Sequence, residues 1–189
     1  MIYEEDRPKY INFAKVGFLY GREVDRGFGD LGILRDKYGN LKDLWTEKSK
    51  DEVKKRSQCF IDQYSSYHYY KLNITLDGEE TLSDNIADNG GIRQAYLGYQ
   101  KWVKDNGKEK SLPGLQKYSH KQLFFISFAQ SLCSNGQHLL EKIKAFEGTK
   151  STTFQSRVIG SLSNMKEFSE VFNCKPGSEM NPENKCVLW

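Results

Sequence analysis

Histidine is nearly absent from this chain. Only His68, His120 and His138 occur among its 189 residues, and no metal site suggests itself from them. No apolar run approaches the ~18 residues that a membrane span requires. The opening Met1-Ile2-Tyr3-Glu4-Glu5-Asp6 is acidic and carries no signal-peptide pattern. Excess charge of one sign is also missing: the net charge is +3 and is spread along the chain. Lys50 to Arg56 and Lys101 to Lys110 mix both signs, which reads as solvated helix faces and not as a nucleic-acid groove. No internal repeat or low-complexity tract appears. One domain over residues 1–189 is expected, with enough chain for a real core.

What is present is aromatic. Phe, Tyr and Trp make up 13% of the chain, within a hydrophobic fraction of 38%. The pattern predicts mainly helix. A first helix is expected within Tyr10 to Phe28, although Gly17, Gly21 and Gly27 weaken its propensity. Asp36 to Asn40 is a turn by composition. Thr46 is a candidate N-cap for a helix reaching about Tyr67, and Leu72 to Gly78 reads as loop or short strand. Thr81 or Ser83 is expected to cap a long helix carrying Asp84 and Asp88, ending near Asp105-Asn106-Gly107. Ser119 should cap a further helix through Cys133 whose Leu123, Phe124, Ile126, Phe128 and Ala129 are core. Gly148 to Gln155 reads as a polar loop, and Met165 to Phe172 as a last short helix.

Within the first helix, Gly21-Arg22-Glu23-Val24-Asp25-Arg26-Gly27-Phe28 has the frame of H-E-x-x-H. In that motif two histidines four residues apart bind zinc, and the glutamate acts on metal-bound water. Here Glu23 is kept, but Arg22 and Arg26 stand at both ligand positions. Guanidinium offers no lone pair and stays protonated, so it repels a dication. Taken alone, R-E-x-x-R is an ordinary charged helix turn.

Further motifs change that reading. Leu82-Ser83-Asp84-Asn85-Ile86-Ala87-Asp88-Asn89-Gly90-Gly91 resembles the E-N-I-A-D-N-G-G signature of the neprilysin and endothelin-converting-enzyme family of zinc metalloendopeptidases. Asp84 replaces its leading glutamate. The carboxyl terminus, Asn181-Pro182-Glu183-Asn184-Lys185-Cys186-Val187-Leu188-Trp189, is similar to N-P-x-x-K-C-x-V-W. Leu112-Pro113-Gly114-Leu115, His120 to Phe125 with Phe128-Ala129-Gln130, and Arg157 to Asn164 also match. The likeness runs from about Pro8 to Trp189 in one order.

The resemblance implies a mainly α, thermolysin-related metallopeptidase catalytic domain, of which this chain is the carboxyl-terminal portion, with the amino-terminal lobe absent. In the active family, zinc takes two histidines and one glutamate, positions occupied here by Arg22, Arg26 and Asp84. The aspartate that orients a ligand imidazole becomes Gly29, and the oxyanion-donating histidine becomes Ser151. The family positions of Glu23 (general base), Asp88 (support) and Arg157 (substrate carbonyl) are kept. Cys59–Cys186 is the family disulfide. The family partners of Cys133 and Cys174 lie upstream, so these two are left free, pair with each other or need a second chain. Asn73-Ile74-Thr75 is a glycosylation sequon, and with the disulfide positions it favours an extracellular protein.

Three readings follow. One is a pseudopeptidase without zinc or other cofactor that binds peptides or acts as a decoy. Another is an active zinc endopeptidase cleaving small peptides. The last is a truncated, non-functional fragment. Arg22 and Arg26 at i, i+4 facing Asp84 and Asp88 at i, i+4 would place two guanidinium groups where the family has its dication.

Overall fold

The computed structural model describes residues 3–69, 73–133 and 152–189. Helices dominate it. The chain begins with α1 (Lys9–Asn12), runs without a break through a π-helical turn at Phe13–Gly17, and continues as α2 (Phe18–Arg26). Pro8 precedes α1 and offers no side-chain cap. The carboxylate of Glu109 does that work instead, accepting the free N–H groups of Lys9 at 2.7 Å and Tyr10 at 3.4 Å. A short 3₁₀ turn at Gly32–Leu34 and a turn at Asp36–Asn40 lead to α3 (Glu47–Ser65). The Thr46 hydroxyl caps α3 by accepting from Ser49 N–H.

A two-stranded antiparallel hairpin follows, β1 (His68–Tyr69) with β2 (Ile74–Thr75). Next comes α4 (Leu82–Asn106), the longest helix, stopped by Gly107 at φ +85°. Thr81 sits at its N-cap position without capping it: the hydroxyl turns back to donate to the Asp77 carbonyl at 2.6 Å. Ser119 starts α5 (His120–Ser131) with a complete capping box to Gln122. After residue 151 come α6 (Phe154–Ser163), capped by Thr153, and α7 (Lys166–Val171). The loop expected to reach Gln155 therefore ends earlier, and α6 was not foreseen. Its sequence, with three serines and one glycine in ten residues, carries little helical signal, and packing on α3 and α4 decides its conformation.

Two apolar clusters hold these elements. One gathers Tyr10, Phe18, Ile92, Tyr96, Phe124 and Phe128 between α1, α2, α4 and α5. The other joins Ile33, Val53, Phe60, Tyr64, Ile86 and Leu188. Cys186 belongs to this second cluster and is bonded to Cys59, with Cα atoms 5.6 Å apart, pinning the carboxyl-terminal tail to α3. The helices α2 and α4 touch backbone to backbone. A Cβ on Gly91 would lie 2.6 Å from Arg22 N, and one on Gly21 would lie 2.9 Å from Gly91 O. Gly21, unfavourable for an isolated helix, is the residue that permits this approach.

Candidate active site

The close contact of α2 and α4 sets the spacing of everything on their facing sides. Arg22 and Arg26 lie one turn apart on α2, opposite Asp84 and Asp88 one turn apart on α4. Arg22 Nη2 donates to Asp84 Oδ1 at 2.6 Å, and its Nε donates to Asp88 Oδ1 at 2.8 Å. Arg26 Nη2 donates to the same Asp84 oxygen. From α6, Arg157 forks onto Asp88, with Nε to Oδ2 at 2.6 Å and Nη2 to Oδ1 at 2.8 Å. Such two-pronged pairing is the strong geometry for guanidinium and carboxylate. The expected pairing is present, and Arg157 joins it as a third cation.

Glu23 closes the charge balance. Its Oε1 accepts from Arg22 Nη1 at 2.7 Å and its Oε2 lies 3.4 Å from Arg26 Nε. Three arginines thus meet three carboxylates, and the cluster is formally neutral. Burial alone would lower the Arg157 guanidinium, but the hydrogen bond and charge of Asp88 hold it above its ordinary value. Tyr64, wholly buried beside the cluster, is pushed well up by desolvation and then by the Asp88 charge.

Beneath the ion pairs lies a polar chain that fixes α4. Thr152 donates to Asn85, Asn89 donates to Tyr64 at 2.9 Å, and Asn164 donates to Asn89 at 2.8 Å. Asn164 Oδ1 then accepts from Cys186 N–H at 2.9 Å. The rear of the site is thereby tied to the disulfide-anchored tail.

The remaining positions are placed as follows. Gly29 packs beside Ile86, and a Cβ there would meet only the Asp25 carbonyl and that side chain. Ser151 and His138 lie outside the described residues. His120 stacks on Tyr10 with ring centroids 5.1 Å apart, remote from the cluster in the α1–α5 core. His68 is in the hairpin, accepting from or donating to Thr75 at 3.0 Å. Asn73 is exposed at the hairpin turn with φ +51°. Cys133 is exposed and Cys174 half-buried; both are unbonded. Missed from the sequence was Asp25, buried at 3% exposure between the two arginines in sequence. Within R-E-V-D-R nothing distinguishes it from a solvated carboxylate. Its surroundings push its carboxyl up to about 6, by burial, with the hydrogen bond from Gln94 opposing.

The sequence pattern of peptidase family M13 matches residues 1–188. The chain belongs to peptidase family M13. Endothelin-converting enzyme 1 of Homo sapiens is 44% identical over 99% of this chain and 24% of that protein. The structure titled Haemonchus galactose containing glycoprotein complex superposes with a TM-score of 0.88 and 32% identity, over 99% of this chain and 31% of that one. The Mycobacterium tuberculosis zinc metalloprotease Zmp1 with inhibitor shares the fold, at a TM-score of 0.83 and 24% identity over 98% of this chain and 29% of that one. The fold is therefore mainly α and is that of the carboxyl-terminal part of an M13 catalytic domain. The chain spans about a quarter of the length of the curated relatives it matches.

The M13 family resemblance implies zinc, and the residues here do not fit it. Arg22 and Arg26 present only N–H donors, and Asp84 Oδ1 is already shared by both. Among the described residues no group of three or more His, Cys, Asp or Glu is arranged to hold a metal ion.

Proposed function

We propose that this M13 chain is a pseudopeptidase: a neprilysin-like fold in which an arginine–carboxylate cluster takes the place of catalytic zinc. One observation carries the reading, the convergence of Arg22 and Arg26 on Asp84 with Arg22 and Arg157 on Asp88. A general base is useful only where it reaches an acidified water. Glu23 has both oxygens engaged by arginines, and water without a metal keeps a pKa near ~15.7 against ~7 on zinc. Glu23, Asp88 and Arg157 are thus vestigial catalytic positions: Asp88 and Arg157 now tie α4 to α2 and α6, and the exposed Glu23 offsets the arginine charge.

The role we infer is extracellular, as a peptide binder or as a decoy for an active relative. The Cys59–Cys186 bridge and the exposed Asn73 sequon support an oxidising, glycosylating route. A second reading, a fragment that needs the rest of the M13 fold, draws on the short coverage of its relatives and on the unbonded Cys133 and Cys174.

Metal analysis of purified protein, combined with a quenched-peptide assay with and without added zinc, tests the proposal. The expected result is zinc far below one equivalent and no chelator-sensitive cleavage. Stoichiometric tightly held zinc with chelator-sensitive hydrolysis would establish an active endopeptidase and end the pseudopeptidase reading.

A further inference from the structure

Ile86, Gly90, Arg93 and Leu97 follow one another at helical spacing on α4, on the face turned away from Asp84 and Asp88. They form one wall of a cavity of about 200 Å³, bounded also by α3, the end of α6 and the carboxyl-terminal tail. Phe60, Met165, Leu188 and Trp189 make most of the remaining wall apolar and aromatic. The tail is held in place by the Cys59–Cys186 bond and by the Cys186 N–H donated to Asn164, so that side of the cavity is fixed before any guest arrives. Apolar cavities of ~150 Å³ accept benzene, so a single ring fits here and a peptide of several residues does not.

The polar side chains deep in the wall are already engaged. Asn89 Nδ2 donates to Tyr64 and to the Asn85 carbonyl, and its Oδ1 accepts from Asn164. Asn164 Nδ2 also donates to Gln63, and its Oδ1 takes the Cys186 N–H. Ser161 donates to the Arg157 carbonyl. Asp25 Oδ1 takes the Gln94 amide and Oδ2 is sealed against Gly90, so this carboxylate is closed to a guest. A polar group carried inside would go unsatisfied, which costs free energy. A guest must therefore bury an apolar part and leave its polar end at the mouth. Arg93, Leu97 and Trp189 line the cavity and are exposed, which places them there. Arg93 forms no ion pair with any described carboxylate, the one that ends the chain included.

We propose that this cavity binds a compact apolar monocarboxylate of the arylacetate kind, its ring among Phe60, Ile86 and Leu188 and its carboxylate on the Arg93 guanidinium. The planar guanidinium fork matches the two oxygens of a carboxylate, and no described carboxylate of the chain competes for it. Burial of the ring supplies the affinity. The exposed ion pair adds less and selects the acid over its neutral analogues. The site lies across α4 from the arginine cluster and stands whether or not that cluster has replaced zinc.

Titration calorimetry of the full chain with phenylacetate tests this, with phenylacetamide as the uncharged isostere. Phenylacetate should bind saturably at one site per chain, about three- to fivefold more tightly than the amide at low salt. Raising the ionic strength from about 0.02 M to about 0.5 M should close that gap and leave the amide unchanged. Arg93→Gln should bring the acid down to the affinity of the amide, and Arg93→Lys should keep part of the preference. Leu97→Trp, which keeps Arg93 and obstructs the mouth, should abolish binding of both. An N-acetylated dipeptide ending in phenylalanine, compared with its carboxyl-terminal amide, distinguishes the sources of the carboxylate. Binding of the free-acid peptide points to a peptide carboxyl terminus, and binding of phenylacetate alone points to a small acid. No saturable phenylacetate binding, or equal affinity for acid and amide at low salt, or an unaltered preference in an Arg93→Gln chain that still melts cooperatively, would overturn the proposal.

Discussion

Asp88 is 1% exposed and accepts hydrogen bonds from Arg22 and from both arms of Arg157, while Asp84 is 33% exposed and serves Arg22 and Arg26. Removing one partner from a buried ion cluster strands the others without solvent, whereas a half-exposed pair loses little. Asp88→Ala should therefore lower unfolding free energy by ~3–5 kcal/mol and Asp84→Ala by ~1 kcal/mol or less, read from urea unfolding midpoints. Equal losses would mean that water already screens the whole cluster. Asp25 gives the opposite sign. Its carboxyl is raised to about 6 in the folded chain, so between roughly pH 4 and 6 the unfolded state releases this proton first. Its contribution then falls as pH rises through that window and stays unfavourable above it. Asp25→Asn should stabilise the protein at pH 7.5 by on the order of 2–3 kcal/mol and have almost no effect near pH 3.5, in parallel melts at the two pH values. Of these groups, Arg22, Arg26, Asp84 and Asp88 were legible as a facing charge set in the sequence, and Arg157 only as a family substrate-contact position. Asp25 was not, because nothing in its local sequence records which way its side chain turns.

At the level of elements, the α2–α4 contact decides the site. Gly21 and Gly91 allow the two backbones to meet, with Arg22 N only 2.6 Å from where a Gly91 Cβ would stand. Alanine is worth ~1 kcal/mol more than glycine to an isolated helix, so propensity alone favours Gly91→Ala. Overpacking against backbone opposes it and costs about 1–3 kcal/mol or more. The net expectation is a lower melting temperature by circular dichroism, together with loss of the Arg22–Asp88 pairing as the helices part. A rise in melting temperature would show that α4 can slide without penalty. The helix starts at Thr46 and Ser119 could be read directly, since a hydroxyl three residues before a free N–H is a local signal. Thr81 carries the same signal and does not cap: its backbone, at φ −96° and ψ 1°, is outside the extended region a cap uses, and its hydroxyl oxygen accepts from Asn85 Nδ2 instead. The helix α6 carries the same start signal at Thr153, but little in the residues that follow marks it as helical. Its conformation comes from Tyr64, which fills the space at Gly160, and from Gln63 and Lys185, which bond to Ser163.

Across the whole molecule, the Cys59–Cys186 bridge spans 127 residues of sequence and fastens the tail over the second apolar cluster. In the chain-entropy account a loop of that length contributes ~4–5 kcal/mol. Reduction, or Cys59→Ser with Cys186→Ser, should lower the urea midpoint accordingly, expose the buried Leu188 and part Trp189 from Trp45, visible as a change in tryptophan fluorescence. An unchanged midpoint would show that the Asn164 contacts hold the tail unaided. The sequence by itself determined the family, the mainly helical fold and the presence of arginine at both zinc-ligand positions, and through the family resemblance it implied the Cys59–Cys186 pairing. These rest on residue identity and spacing, which no conformation alters: arginine has no lone pair to give wherever it points. Only the tertiary structure decided that the orphaned carboxylates are neutralised and that Arg157 is their third partner. It alone also left one oxygen of Asp25, Oδ2, buried against Gly90 without a donor. Those outcomes depend on distances of a few ångströms between segments 60 to 70 residues apart, set by how closely two glycine-faced helices pack.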